Sequence, residues 1–151
     1  MGSKFLEKLE LVDYGVVDHE EAMRVAQQWL SVFCPHRRTF DGIIKDKTYL
    51  WDELQSCWQN AEALRRYQEL EALNYYIMPD CFGAPGHEML ITNIKPSANT
   101  HRQDFHVFPK NLAWSMAFTH EDGWIGPKFF EHPDYHALNQ KNKAALKYAI
   151  R

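Results

Sequence analysis

The chain reads as an α+β protein, and three observations lead there. Its first half carries helical hydrophobic periodicity, while its second half carries short aromatic and β-branched runs cut by Pro and Gly. An Asp122-Gly123 pair between two apolar runs adds a specific hairpin signal. The expected architecture is N-terminal helices packed on an antiparallel β-meander, followed by a C-terminal helix. The 151 residues suit one domain spanning 1–151.

The first long helix covers 18–33. Asp18 and Glu21 form a D-x-x-E variant of the capping box, and Ala22, Val25, Ala26, Trp29, Leu30 and Phe33 recur on one face. Pro35 stops it, and residues 35–45 read as a loop. One or two helical turns are expected at 4–11, around Phe5, Leu6 and Leu9. A second long helix is expected from about Asp46 to Glu71, where Leu50, Leu54, Cys57, Ala61 and Leu64 make a stripe widened by Trp51 and Trp58. Two such helices cannot cover their own tryptophans, so a further layer is required.

That layer comes from strands at Asn74–Met78, Met89–Lys95 and Asp104–Phe108, then the hairpin Leu112–Glu121 and Trp124–Phe130. Pro133 at a first helical position, with His132 as its cap, opens the C-terminal helix through Tyr135, Leu138, Ala145 and Leu146. A two-residue turn at Asp122-Gly123 sets a register in which Glu121 faces Trp124, His120 faces Ile125 and Met116 faces Phe129. Trp114, Met116, Phe118 and Phe129 then share the core face, and Ala113, Ser115, Ala117, Thr119 and Trp124 share a small-residue face. Pro127, which lacks an N–H, marks Trp124–Phe130 as an edge strand.

Composition excludes several classes. Lys+Arg 17 against Asp+Glu 20 gives net charge -3, against a protein that neutralises phosphates broadly, so no nucleic-acid partner is expected. No apolar run reaches the roughly 20 residues of a membrane span, and the N-terminal stretch, which carries acids and no long apolar core, does not read as a signal peptide. Cys34, Cys57 and Cys81 contain no C-x-x-C pair, which points to a cytoplasmic protein without a disulfide framework or zinc site.

Thr119, His120 and Glu121, at a strand end beside the turn, are the leading polar cluster. Histidine there can serve as a ligand-binding group or a general base assisted by Glu121 or another carboxylate. It can equally be a core-rim residue donating to a backbone carbonyl, and alternation sends His120 and Glu121 to opposite faces. Trp124 on the small-residue face offers a platform for a ligand or partner, unless the N-terminal helices cover it. His132 and His136 have helical metal spacing but lack a third ligand. His87, His101 and His106 show no metal spacing, and Cys81 lacks an evident orienting partner. Arg37-Arg38 and Arg65-Arg66 read as solvated surface. No P-loop, G-x-S-x-G or H-E-x-x-H motif is present, so no cofactor, metal or catalytic set is assigned. The binding set is Trp114, Thr119, His120, Glu121 and Trp124.

The runs Phe105-His106-Val107-Phe108-Pro109, Trp114-Ser115-Met116-Ala117-Phe118-Thr119-His120-Glu121 and Gly126-Pro127 carry a resemblance. They resemble a family of small bacterial proteins with an F-x-V-F-P … W-[ST]-x-x-F-T-H-E … G-P-x-F pattern and no established activity. The likeness covers about the last third of the chain, and Lys128 stands where the family has an aromatic. It implies a bacterial cytoplasmic protein, and by analogy an accessory or toxin-neutralising binding role encoded in a mobile gene region. The leading expectation is therefore a non-catalytic binding protein, whose partner is another protein, a small ligand or a second copy of itself. The alternative is a His-dependent enzyme or metal-binding protein centred on His120.

Overall fold

Alternating side chains along the central strands divide the apolar residues between two faces, and helices cover both. The computed structural model describes residues 11, 13–37, 49–54, 58–83, 87–99 and 102–149. Its strands are β1 (Gly15–Val16), β2 (Trp58–Gln59), β3 (Tyr75–Pro79), β4 (Leu90–Thr92), β5 (Phe105–Pro109), β6 (Trp114–Phe118) and β7 (Lys128–Glu131). Its helices are α1 (His19–Phe33), α2 (Leu50–Glu53), α3 (Asn60–Glu69) and α4 (Tyr135–Ala149). The α+β class is borne out. All pairings are antiparallel, in the order β1-β4-β3-β5-β6-β7-β2. Among the described strands only β5-β6-β7 is a simple meander, because β3 lies between β4 and β5.

One face presents Tyr76, Met78, His106, Phe108, Ser115, Ala117 and Phe130 to α1 and α2. The α1 stripe of Ala22, Val25, Ala26, Trp29 and Leu30 is buried there, and Trp29 Nε1 donates to Ser115 Oγ at 2.9 Å. A buried indole removes about 200 Å² from water, worth about 5 kcal/mol before ordering entropy. The hydroxyl of Ser115 prevents that burial from stranding the indole N–H. The other face presents Tyr75, Ile77, Phe105, Val107, Trp114, Met116, Phe118 and Phe129 to Ala63 and Tyr67 of α3 and to Tyr135 and Leu138 of α4.

Several sequence expectations need correction. Asp46–Glu71 is not one helix. Leu54 and Gln59 are extended, and Asn60 has φ 56, so α2, β2 and α3 are separate. Leu50 and Leu54 pack on one face of the sheet while Ala63 and Leu64 pack on the other, so one apparent stripe serves two opposed surfaces. Residues 55–57, with Cys57, lie outside the described residues, as do all but Leu11 of the helical turns expected at 4–11. Asp18 flanks α1 as expected but makes no side-chain capping bond. His132 does cap: its Nδ1 accepts the Asp134 N–H at 2.8 Å just ahead of α4.

The hairpin is right in register and wrong in its turn. Met116 pairs with Phe129 and Ala117 with Lys128, but β6 ends at Phe118 and β7 begins at Lys128. The connection is not a two-residue turn, because Asp122 Oδ1 accepts the Thr119 N–H at 2.9 Å and the Thr119 hydroxyl at 3.0 Å. Such side-chain bonds compete with the ladder and curl the chain into a broad loop. Nor is β7 an edge. β2 pairs with Phe129 and Lys128, past Pro127, whose carbonyl accepts the Asn60 N–H at 2.9 Å.

Candidate functional site

Three chain segments converge at one end of the sheet: the turn after β3, the entry to β5 and the loop after β6. The Asp80 N–H donates to the Asp104 carbonyl at 3.0 Å, one step beyond the Pro79–Phe105 pair. The carboxylates of residues 80 and 104 therefore emerge from neighbouring strand ends.

Asp104 Oδ1 collects three donors: the His120 N–H at 2.9 Å, His120 Nδ1 at 2.9 Å and Trp51 Nε1 at 2.8 Å. His120 Nδ1 also lies 3.1 Å from Oδ2. An ionised carboxylate only accepts, so it fixes the imidazole with the proton on Nδ1. The second ring nitrogen, Nε2, has no hydrogen-bond partner among the described residues. The His120 side chain is 36% exposed, so the ring sits at the surface rather than in the core. Its walls are aromatic, with Tyr49 at 4.8 Å and Trp51 at 6.0 Å between ring centroids.

The field at this end is acidic. Burial pushes the Tyr49 hydroxyl above its ordinary value, and the charges of Asp104, Glu121 and Asp80 push the same way. Burial, with Asp80 and Asp104, also raises the Cys81 thiol, which disfavours its thiolate. A buried cation is engaged beside Trp51: Lys128 Nζ donates to the Trp51 carbonyl at 3.2 Å and lies 5.4 Å from the Trp51 ring centroid.

The loop that carries His120 is braced. Asn99 Nδ2 donates to the carbonyls of Gln103 and Thr119 and to Asp122 Oδ2, and the Thr119 hydroxyl bonds Asp122 and the Ile125 carbonyl. Burial raises the Asp122 carboxyl above its ordinary value, against these hydrogen bonds. A cleft of about 470 Å³ lies against this loop, walled by Ala61, Leu64, Ala98, Phe118 and Pro127.

The structure thus separates the sequence-derived binding set. Thr119, His120 and Glu121 stay together on the loop, whereas Trp114 is fully buried against Tyr67 and Phe129. Its Nε1 has no partner among the described residues. Trp124 is 82% exposed at the loop, although α1 does cover the small-residue face. Because β6 stops at Phe118, strand alternation does not govern residues 120 and 121. Asp104, Trp51, Tyr49 and Asp80 escaped the sequence reading. The one available signal was His106, a polar residue inside an apolar strand, which bonds Asp80 at 2.7 Å. Arg37 and Arg65 engage Glu53 and Glu62/Glu69, and no group of three metal-ligating side chains occurs among the described residues.

Comparison with protein-family models, curated proteins and solved structures found no match to this chain.

Proposed function

We propose that the chain performs proton transfer on a small neutral molecule, with Nε2 of His120 as the general base and Asp104 as its orienting carboxylate. The observation that carries this reading is the threefold donation to Asp104 Oδ1, which fixes the ring of a partly exposed His120 and leaves Nε2 without a partner among the described residues. A base must be held in one tautomer and remain accessible, and proton transfer of this kind contributes about 10²–10⁴-fold in rate. For an ester, His120 takes a proton from water as its oxygen attacks the carbonyl carbon. The proton then passes to the departing alkoxide, the acyl C–O bond breaks, and acid and alcohol leave. The acidic surroundings disfavour anionic substrates.

The test is hydrolysis of p-nitrophenyl acetate by the full chain beside His120→Gln and Asp104→Asn. The expected result is turnover above buffer that falls about 10²-fold or more in His120→Gln. Equal rates in the wild type and His120→Gln overturn the reading.

A second reading is supported by Trp124. A large aromatic at 82% exposure on a loop fixed by Thr119, Asp122 and Asn99 is a preorganised anchor for a protein, a small ligand or a second copy. In that reading the chain is a bacterial cytoplasmic recognition protein of accessory or toxin-neutralising type, with no chemistry of its own. The free thiols of Cys34 and Cys81 support a reducing setting. No described helix is long and apolar enough to cross a membrane. A dimeric mass by light scattering that becomes monomeric in Trp124→Ala supports the homodimer form, and a monomeric wild type removes it.

A further inference from the structure

We propose that Asp80 is a positioning residue for the His120–Asp104 pair, acting through Trp51; the inference rests on the reading of His120 as the acting base. Helix α2 has only four residues, far too few to hold itself together, and its N-cap Tyr49 makes no side-chain capping bond. Its first two N–H groups instead donate to Asp80, Leu50 to Oδ2 at 2.6 Å and Trp51 to Oδ1 at 2.9 Å. The carboxylate is 2% exposed and is itself fixed by His106 Nε2 at 2.7 Å. His106 is fully buried against the Trp29 ring, and its Nδ1 has no partner among the described residues, so Asp80 is the partner its ring holds.

Trp51 therefore spans both carboxylates, with its amide on Asp80 and its indole on Asp104. The same short segment places the Tyr49 ring against Trp51 at 5.3 Å and against His120 at 4.8 Å. Without the Asp80 acceptors, α2 keeps Lys128 on the Trp51 carbonyl and Arg37 on Glu53 but loses the bonds that fix its first turn, so the indole shifts from Asp104 Oδ1 and that oxygen retains two of its three donors. The Asp80 carboxylate bonds Leu50, Trp51 and His106, and no hydrogen bond joins it to His120 among the described residues. Its effect on the base runs through the short segment that carries Trp51 and Tyr49.

The test reads the Nδ1-bound proton of His120 in the full, unliganded chain by ¹⁵N-edited NMR, with Asp104→Asn as the reference for loss of the carboxylate. Trp51→Phe removes the indole donor and keeps the backbone anchor, while Asp80→Asn removes part of the anchor. Each is expected to exchange the His120 Nδ1 proton roughly fivefold faster, the factor that corresponds to one ordinary hydrogen bond. Leu138→Ala, which loosens packing from the other side of the sheet, is expected to leave that exchange unchanged. Wild-type exchange in either folded variant, or equal acceleration in Leu138→Ala, overturns the proposal. Should Asp80→Asn fail to fold, Asp80→Glu, which keeps the charge and displaces both acceptor oxygens, is read in its place, and wild-type exchange there overturns the proposal. None of these readings uses turnover, so an absence of ester hydrolysis counts against His120 as a base and leaves the positioning result intact.

Discussion

Trp51 and Asp104 lie 53 positions apart in the chain, and the indole Nε1 of one meets the carboxylate Oδ1 of the other at 2.8 Å. The same oxygen accepts the backbone and the ring N–H of His120, so one acceptor joins α2, the entry to β5 and the loop after β6. Asp104→Ala strands all three donors in a partly buried place. It is expected to lower unfolding free energy by about 2–4 kcal/mol, read as a lower urea midpoint with an unchanged slope. Asp104→Asn keeps one acceptor and is expected to cost less. Equal midpoints for wild type and Asp104→Ala would show that this junction does not stabilise the fold.

Gly123 and Gly126 share one loop and differ in surroundings. Both have positive φ, 98° and 104°, but a Cβ at Gly123 meets open space. At Gly126 it would lie 3.0 Å from Asp122 Oδ1 and 3.1 Å from Thr119 Cγ2. Gly123→Ala is therefore expected to cost about 1 kcal/mol from backbone strain alone. Gly126→Ala adds displacement of the Thr119–Asp122 bonds and is expected to cost about 2–3 kcal/mol. Paired denaturation curves check the order, and equal losses remove the role given to the Thr119–Asp122 contact.

These two sites mark how far the sequence was legible. Period-two patterning located the central strands, and the Asp122-Gly123 signal placed Met116 opposite Phe129, a pairing the sheet keeps. It could not foresee that Thr119 and Asp122 would outcompete a two-residue turn, since that choice lies with side-chain bonds. The stripe from Leu50 to Leu64 misled for a different reason: helical spacing records that residues are buried, not which face of a sheet buries them. Of the site, His120 was visible as a polar residue at a strand end. Asp104 and Trp51 were not, because their partnership depends on contacts far apart in the chain.

Trp124 offers a clean separation of folding from recognition. At 82% exposure its side chain has little packing to lose, and Trp124→Ala is expected to change unfolding free energy by less than about 0.5 kcal/mol. A loss of several times that size by thermal or urea denaturation would mean that the indole serves the fold rather than a partner.

Cys34 should be chemically silent in the native protein. It is fully buried after α1, and burial, with the charge of Glu53, pushes its thiol up to about 11. At pH 8 only about one thiol in a thousand is then ionised, and the thiolate is the reactive form. Iodoacetamide labelling followed by peptide mass mapping is expected to find Cys34 unmodified in native protein and modified in urea. Rapid native labelling of Cys34 would contradict its placement in the core.

Lys95 carries a stability change of defined sign. Its ammonium donates to the carbonyls of Tyr67 and Leu70 at the end of α3 and lies 4.4 Å from the Tyr67 ring centroid and 5.7 Å from that of Trp114. Burial lowers its pKa from 10.5 to about 8, against the opposing charge of Glu71. Between those values the unfolded chain holds a proton at this lysine that the folded chain has released. Stability rises with pH wherever the unfolded state binds more protons, so this residue favours folding increasingly as pH climbs from about 8 toward 10.5. Tyrosines titrate at the top of that window, and the Lys95→Met variant removes their contribution by subtraction. The difference in urea stability, wild type minus Lys95→Met, is expected to grow in favour of the wild type across the window. A difference that stays constant would show that the two carbonyls and the aromatic rings hold the ammonium charged as well as water does.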